Sequence, residues 1–252
     1  MFRGNYVFNK VNDLNREDYE SSTMSGVSIK SGILIFIAFI SACLSIIILN
    51  SLSFLSLGFY VIATIATVVL QIIIMFNPLK AKSLSIPYVI CEGLIIGILC
   101  DLLELAFPGE GLPTAGFALM LTLGIVLAAC LLYSKKNVRV SSGFVRFFAI
   151  MIIGMAIASC FFSITSLILY LTSGISLWGM YLASPLSVLV SVIMVVVASV
   201  YVFINIQRAD ELVKCGVDKK YEWYLAFGIA MTVIWLFLEV LNLLIRLLNR
   251  RD

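Results

Sequence analysis

The sequence predicts an all-α membrane protein of seven transmembrane helices, with the last helix central in the bundle. Three observations lead to this fold class. Hydrophobic residues make up 62% of the 252 residues and charged residues only 12%, whereas soluble domains are about half apolar and a quarter charged. The apolar residues form runs that exceed the roughly 20 residues needed to cross a bilayer. Lysine and arginine concentrate in alternate loops, as expected when successive helices cross in opposite directions.

Polar and turn-forming residues divide the apolar sequence into its predicted helices. A polar tail comes first, over residues 1–29, and is expected to be loosely ordered apart from a short helix near residues 12–20. Asn77-Pro78 ends the second helix, because proline disfavours helical geometry at the residue before it. The predicted spans are residues 30–50, 54–76, 84–107, 112–133, 143–171, 184–207 and 222–248.

The distribution of positive charge predicts the orientation. Of the 17 lysines and arginines, 14 lie in the tail or at the loops that follow the second, fourth and sixth helices. The exceptions are Arg246, Arg250 and Arg251, at the C-terminal end. Cytoplasmic loops of membrane proteins carry the excess of positive charge. The N-terminus is therefore predicted to be cytoplasmic and the C-terminus to lie outside.

Composition and motifs exclude several classes of site. The chain has no histidine, which excludes histidine metal sites, haem ligation and histidine-containing triads. Its six cysteines show no CxxC spacing and are interpreted as small buried hydrophobic residues. The HExxH, GxSxG and paired-aspartate motifs are absent, so we expect no enzyme, no cofactor and no firm metal site. Nucleic acid is not an expected partner.

Two other kinds of seven-helix protein are also excluded. Receptors of the seven-helix signalling type place the N-terminus outside, opposite to the orientation that the charges predict. A retinal protein needs a lysine in the last helix for its Schiff base, and residues 222–248 contain none.

Acidic residues inside the predicted spans are the candidate functional residues. Glu92, Asp101 and Glu104 lie in the third helix and Glu239 in the seventh. A carboxylate within a span costs about 2.5–3.5 kcal/mol on insertion scales, so each needs a partner or water. At 1.5 Å per residue, Glu92 lies about 12 Å from the cytoplasmic end of its helix, while Asp101 and Glu239 lie about 25 Å from that side. Glu92, Asp101 and Glu239 are candidates for an ion pathway. The alternative for Glu92 and Glu239 is a structural hydrogen bond, and the alternative for Asp101 and Glu104 is contact with interfacial water.

Small and polar residues predict how two of the helices pack. Gly93 and Gly97 have the spacing that lets another helix approach closely, through packing alone in the simplest interpretation. In the last helix one side is polar, which predicts that it faces protein rather than lipid. Its members are Gly228, Thr232, Glu239, Asn242 and Arg246.

These segments resemble the Bax inhibitor-1/YccA family, most closely its bacterial branch. The resemblance rests on MSGVSIKSGIL in the tail, EGLIIG in the third helix and EWYLAFGIAMTVIWLFLEVLNLL at the end. It implies seven helices with the last one central, in the bacterial plasma membrane. It also implies a pH-sensitive leak of calcium or other cations, or the modulation of a membrane-bound AAA protease.

The family's pH sensor is a pair of aspartates, and the resemblance carries only part of it to this chain. The first aspartate position is Asn205, within Asn205-Ile206-Gln207, and the second is Glu239. An amide cannot titrate, so a coupled titration of two carboxylates is not expected here. Glu92 matches the family's glutamate of the third helix. Any pH response is expected to come from Glu92 and Glu239, with Asp101 contributing.

Two functions follow as alternatives. One is a cation channel or transporter built on these acids, with a weak and hydrated pathway, because calcium prefers six to eight oxygen ligands. The other is a non-conducting regulator that binds another membrane protein, such as a membrane-bound AAA protease, through the tail or the small-residue faces. Ion flux into liposomes separates the two.

Overall fold

A computed structural model describes residues 20–49, 56–134 and 139–250. Most of the predicted tail, with its short helix, lies outside the described residues, as does the turn after the first helix. The described part of the chain is helical and contains no β-strand beyond one isolated bridge between Ser21 and Asp218. Its α-helices are α1 (Met24–Leu49), α2 (Ser56–Phe76), α3 (Ala81–Ala106), α4 (Gly111–Ser134), α5 (Ser142–Ser173), α6 (Leu177–Ala183), α7 (Pro185–Lys214) and α8 (Glu222–Leu248).

Six of these helices are long and apolar enough to cross a membrane: α1, α2, α4, α5, α7 and α8. This supports a multi-pass membrane protein. Helix α3 is not among the six; its 26 residues include one lysine, three carboxylates and Pro87 in its interior. A total of seven spans, with α3 as the third, therefore stays a prediction.

Several helix ends differ from the predicted ones. Helix α1 begins at Met24 rather than at residue 30, because Thr23 caps it: the Thr23 hydroxyl oxygen accepts a hydrogen bond from Gly26 N at 3.0 Å. Helix α7 continues to Lys214 rather than stopping at 207, and Lys214 pairs with Asp210 one turn earlier. The extension of α7 is polar, so the drop in hydropathy there marked the end of the apolar run and not the end of the helix, whereas the added turns of α1 mix apolar and polar residues.

The connection expected over residues 172–184 also contains structure. Gly174 ends α5 in the left-handed conformation, with φ 68°, which glycine adopts without strain. The short helix α6 follows, and the Ser176 hydroxyl oxygen caps it by accepting a hydrogen bond from Gly179 N at 3.1 Å. The bounds of α8, in contrast, are those predicted.

The chain divides into two compact units. The first contains Met1–Ile98 and Arg208–Ala230, and the second Leu99–Gln207 and Met231–Asp252. Helices α3, α7 and α8 contribute residues to both units.

In the first unit, α1 and α3 approach each other at two glycines. A Cβ on Gly93 would lie 2.3 Å from the backbone oxygen of Ala38, and one on Gly97 would lie 2.5 Å from that of Ala42. No real Cβ comes so close to a backbone oxygen. The two glycines therefore lie where α3 meets the backbone of α1 directly, as the small-residue spacing predicts.

Serines on α1 add hydrogen bonds to the same contact. The Ser41 hydroxyl donates to Ile90 O at 2.8 Å, and the Ser45 hydroxyl donates to Leu94 O at 3.1 Å. Each acceptor lies three residues before one of the glycines. The absence of a side chain at the glycine lets the serine reach the backbone of α3.

In the second unit, a small core joins α5, α7 and α8. Phe148, Val197 and Ile204 are buried together, and Trp235 packs against them. Half of the apolar stretch of α8 is buried, the largest share among the six candidate spans. Its polar side is not uniformly covered, because Thr232 is buried while Asn242 is exposed near the helix end. The central place of α8 in a bundle stays a prediction.

Candidate functional site

Glu92 lies half-buried on α3, in the first unit, and an aromatic residue one turn earlier orients it. The Tyr88 hydroxyl donates a hydrogen bond to Glu92 Oε1 at 2.8 Å. Tyr88 is itself buried, and its ring meets that of Phe227 edge-on at 4.9 Å between centroids. The packing of the ring therefore fixes the position of the donor and, through it, the carboxylate.

Glu239 lies half-buried on α8, in the second unit, in a matching arrangement. Trp235 Nε1 donates to Glu239 Oε1 at 3.0 Å, again from one turn earlier on the same helix. The Trp235 ring packs edge-on against Tyr201, with centroids 6.1 Å apart. Arg246, two turns later on α8, adds an electrostatic attraction.

Glu222, the first residue of α8, has more hydrogen-bond donors than Glu92 or Glu239. It was not predicted as a site residue. It is only 2% exposed and accepts hydrogen bonds from Thr23 N at 2.8 Å, from the Thr23 hydroxyl at 3.2 Å and from Lys30 Nζ. A Cβ on Gly26 would lie 2.6 Å from a Glu222 carboxylate oxygen, so a side chain at this position would force the carboxylate to shift. Glu222 therefore binds the start of α1 to the start of α8 and has a structural role.

No local signal identifies Glu222 in the sequence. Its partners are 192 and 199 residues away along the chain. An acid in the first turn of a helix is also common, because it interacts favourably with the helix dipole. Backbone contacts reinforce the junction: Ser22 N donates to Val217 O at 2.7 Å, and Lys219 N donates to Glu20 O at 2.8 Å.

The other acids of α3 lie in the second unit and differ from each other. Asp101 is half-buried. The Glu104 carboxylate accepts hydrogen bonds from Gly109 N and Leu112 N, each at 2.7 Å. Glu104 thus caps the N-terminus of α4 across a turn in which Gly109 has a φ of 84°. This is a specific structural role rather than simple contact with interfacial water.

Asn205 lies half-buried on α7, in the second unit. Gln207, two residues later, was not predicted as a site residue. Gln207 is buried; its Oε1 accepts from Val140 N at 2.8 Å and its Nε2 donates to Val140 O at 3.0 Å. This pair of hydrogen bonds holds the segment before α5 to α7. Within Asn205-Ile206-Gln207, it is the glutamine that makes this link.

The candidate residues do not form a metal centre in the described part of the chain. There, no three side chains of His, Cys, Asp or Glu lie close enough together to hold a metal ion. Glu92 belongs to the first unit, whereas Asp101, Asn205 and Glu239 belong to the second. What Glu92 and Glu239 share is their local chemistry: a half-buried carboxylate with one neutral aromatic donor on its own helix.

Comparison with known proteins identifies a family. A family model described as Bax inhibitor 1 like matches residues 5–249. No curated protein and no solved structure matches the chain.

Proposed function

Because this chain belongs to the Bax inhibitor 1 like family, we propose that it lets cations, calcium among them, leak across the bacterial plasma membrane. The proposal assigns it no enzymatic step. It takes the N-terminus as cytoplasmic, the C-terminus as outside, and α3 as a seventh span. It also places α8 at the centre of the bundle.

One observation carries the proposal: Glu92 and Glu239 are incompletely paired, in contrast to Glu222. Glu222 is held by a lysine, a backbone N–H and a hydroxyl. Glu92 and Glu239 each accept a hydrogen bond from a single neutral donor. None of the four ion pairs in the described chain includes either residue. A carboxylate left in this state within a membrane helix needs water or a cation, and such residues mark ion pathways.

The chemistry of these acids suits a weak pathway. Calcium takes six to eight oxygen ligands, and a single carboxylate supplies at most two of them. A cation beside Glu239 would therefore keep most of its water and leave easily. Protonation removes the charge that attracts the cation, so a protonated carboxyl closes the path.

The alternative function is that of a non-conducting regulator, and the exposed apolar surface of α5 favours it. Only 6% of the apolar stretch of α5 is buried, the smallest share among the six candidate spans. Its apolar surface is open to lipid or to helices of another protein. A membrane-bound AAA protease is the partner that this alternative names.

Two assays on the purified protein separate these functions. In liposomes loaded with a calcium-sensitive dye, the proposal expects calcium entry above that of protein-free liposomes. Asn205→Asp should add a second titration within roughly pH 5–8 to any pH response of Glu92 and Glu239, because a carboxylate titrates and an amide does not. The regulator is supported instead if no calcium enters at any pH and the chain changes the degradation rate of a co-reconstituted AAA protease.

A further inference from the structure

Arg246 in the last turn of α8 and Arg250 just after its end contact the same segment. Arg246 Nη1 donates to the Tyr181 hydroxyl at 3.1 Å and to Ser187 O, and its guanidinium lies 5.2 Å from the centroid of the Tyr181 ring. Arg250 Nη2 donates to Ser184 O at 2.6 Å. Both arginines therefore reach the junction between α6 and α7, within the second unit.

The partners of these arginines are neutral, so their charge is not cancelled locally. The four ion pairs found among the described residues involve neither arginine. Glu239 supplies one negative charge, two turns before Arg246. Helix α7 begins at Pro185 beside them, and a helix N-terminus adds a partial positive charge. The junction therefore carries net positive charge.

Aromatic residues beside the arginines mark the depth of the membrane interface. Trp178 and Tyr181 on α6 meet Phe162 edge-on, with centroids 5.1 and 5.8 Å away. Trp178 is exposed, as are the apolar side chains of Met180 and Leu182. Tryptophan and tyrosine are enriched where lipid headgroups meet the hydrocarbon. We therefore expect the arginines to lie at the level of lipid phosphates.

We propose that Arg246 and Arg250 bind the phosphate of an anionic membrane phospholipid. A guanidinium has five N–H donors in a planar fork that matches phosphate oxygens. The described contacts use only Nη1 of Arg246 and Nη2 of Arg250, which leaves donors on both side chains. Arg250 is exposed and Arg246 half-buried, so a headgroup can reach both. This site does not depend on the proposed ion path.

Native mass spectrometry of purified protein tests the site. The protein is equilibrated with mixed micelles containing phosphatidylglycerol or phosphatidylcholine, and retained lipids are counted. We expect phosphatidylglycerol to be retained preferentially. Arg250→Gln and Arg246→Gln should each weaken its retention about fivefold, as expected for removing one arginine at an anionic membrane surface. Arg208→Gln removes an exposed arginine elsewhere on α7 and should leave retention unchanged.

The outcomes separate lipid binding from simpler explanations. Arg250→Gln keeps every contact of Arg246, so this variant remains informative even if Arg246→Gln does not fold. Equal retention of phosphatidylglycerol by the parent and Arg250→Gln would overturn the proposal. So would displacement of the lipid by inorganic phosphate, which would assign the site to a free anion.

Discussion

At the scale of single residues, the acids Glu222, Glu92 and Glu239 differ in the number and charge of their hydrogen-bond donors. Glu222 is surrounded by three donors, one of them a lysine, and is almost fully buried. Glu92 and Glu239 are only half-buried, and each has one neutral donor. Burial with full pairing favours a fixed structural role, whereas an incompletely paired carboxylate remains available to water and ions.

This distinction predicts that Glu222→Gln destabilises the protein. The substitution leaves Lys30, which is only 20% exposed, without its counter-charge. Breaking such a pair from one side costs about 3 kcal/mol. Denaturant unfolding in detergent measures the loss. The matched control is Glu20→Gln, which removes an exposed pair with Lys219 and should leave stability unchanged. Equal stability of the parent and Glu222→Gln would contradict the structural role.

At the scale of helices, direct backbone contact joins α1 to α3. Gly93 has no space for a side chain, because Ala38 O would lie 2.3 Å from an added Cβ. Gly93→Ala should therefore push the helices apart and cost about 2 kcal/mol, as overpacking does. Gly154 on α5 has nothing within 4 Å of the same position, so Gly154→Ala is the control. Thermal unfolding of both variants in detergent gives the comparison, and equal melting temperatures would contradict the close contact.

Hydropathy and motif spacing predicted only part of these elements. They gave α8 its observed bounds, because both of its ends coincide with a change in hydropathy. They missed the extra turns of α1 and α7, since capping by Thr23 sets the start of α1 and the Asp210–Lys214 pair lies in the polar extension of α7. The candidate acids Glu92 and Glu239 stand out within apolar runs. Glu222 and Gln207 do not, because contacts with residues distant in sequence define their roles.

At the scale of the whole molecule, the charge distribution and the helices together predict a seven-span topology. Six described helices are able to cross the membrane, and α3 would be the seventh span. We therefore predict that a reporter fused after Asp252 reads outside the cytoplasm and one near Asn137 reads inside, because positive loops stay inside. Reporter activity in intact cells makes the measurement. Both reporters reading inside would leave an even number of spans between them instead of the predicted three and exclude the seven-span topology.

The central claim is that incompletely paired acids in the membrane carry a cation leak. Its most direct test is the rate of calcium entry into liposomes that contain the parent, Glu239→Gln, Glu92→Gln or Glu110→Gln. Glu110 is an exposed acid before α4, so its variant controls for the loss of one negative charge. We predict that Glu239→Gln and Glu92→Gln each reduce the rate about tenfold, the effect of losing roughly 1.4 kcal/mol of attraction for the ion. Glu110→Gln should match the parent. Equal rates for all four proteins would contradict the account.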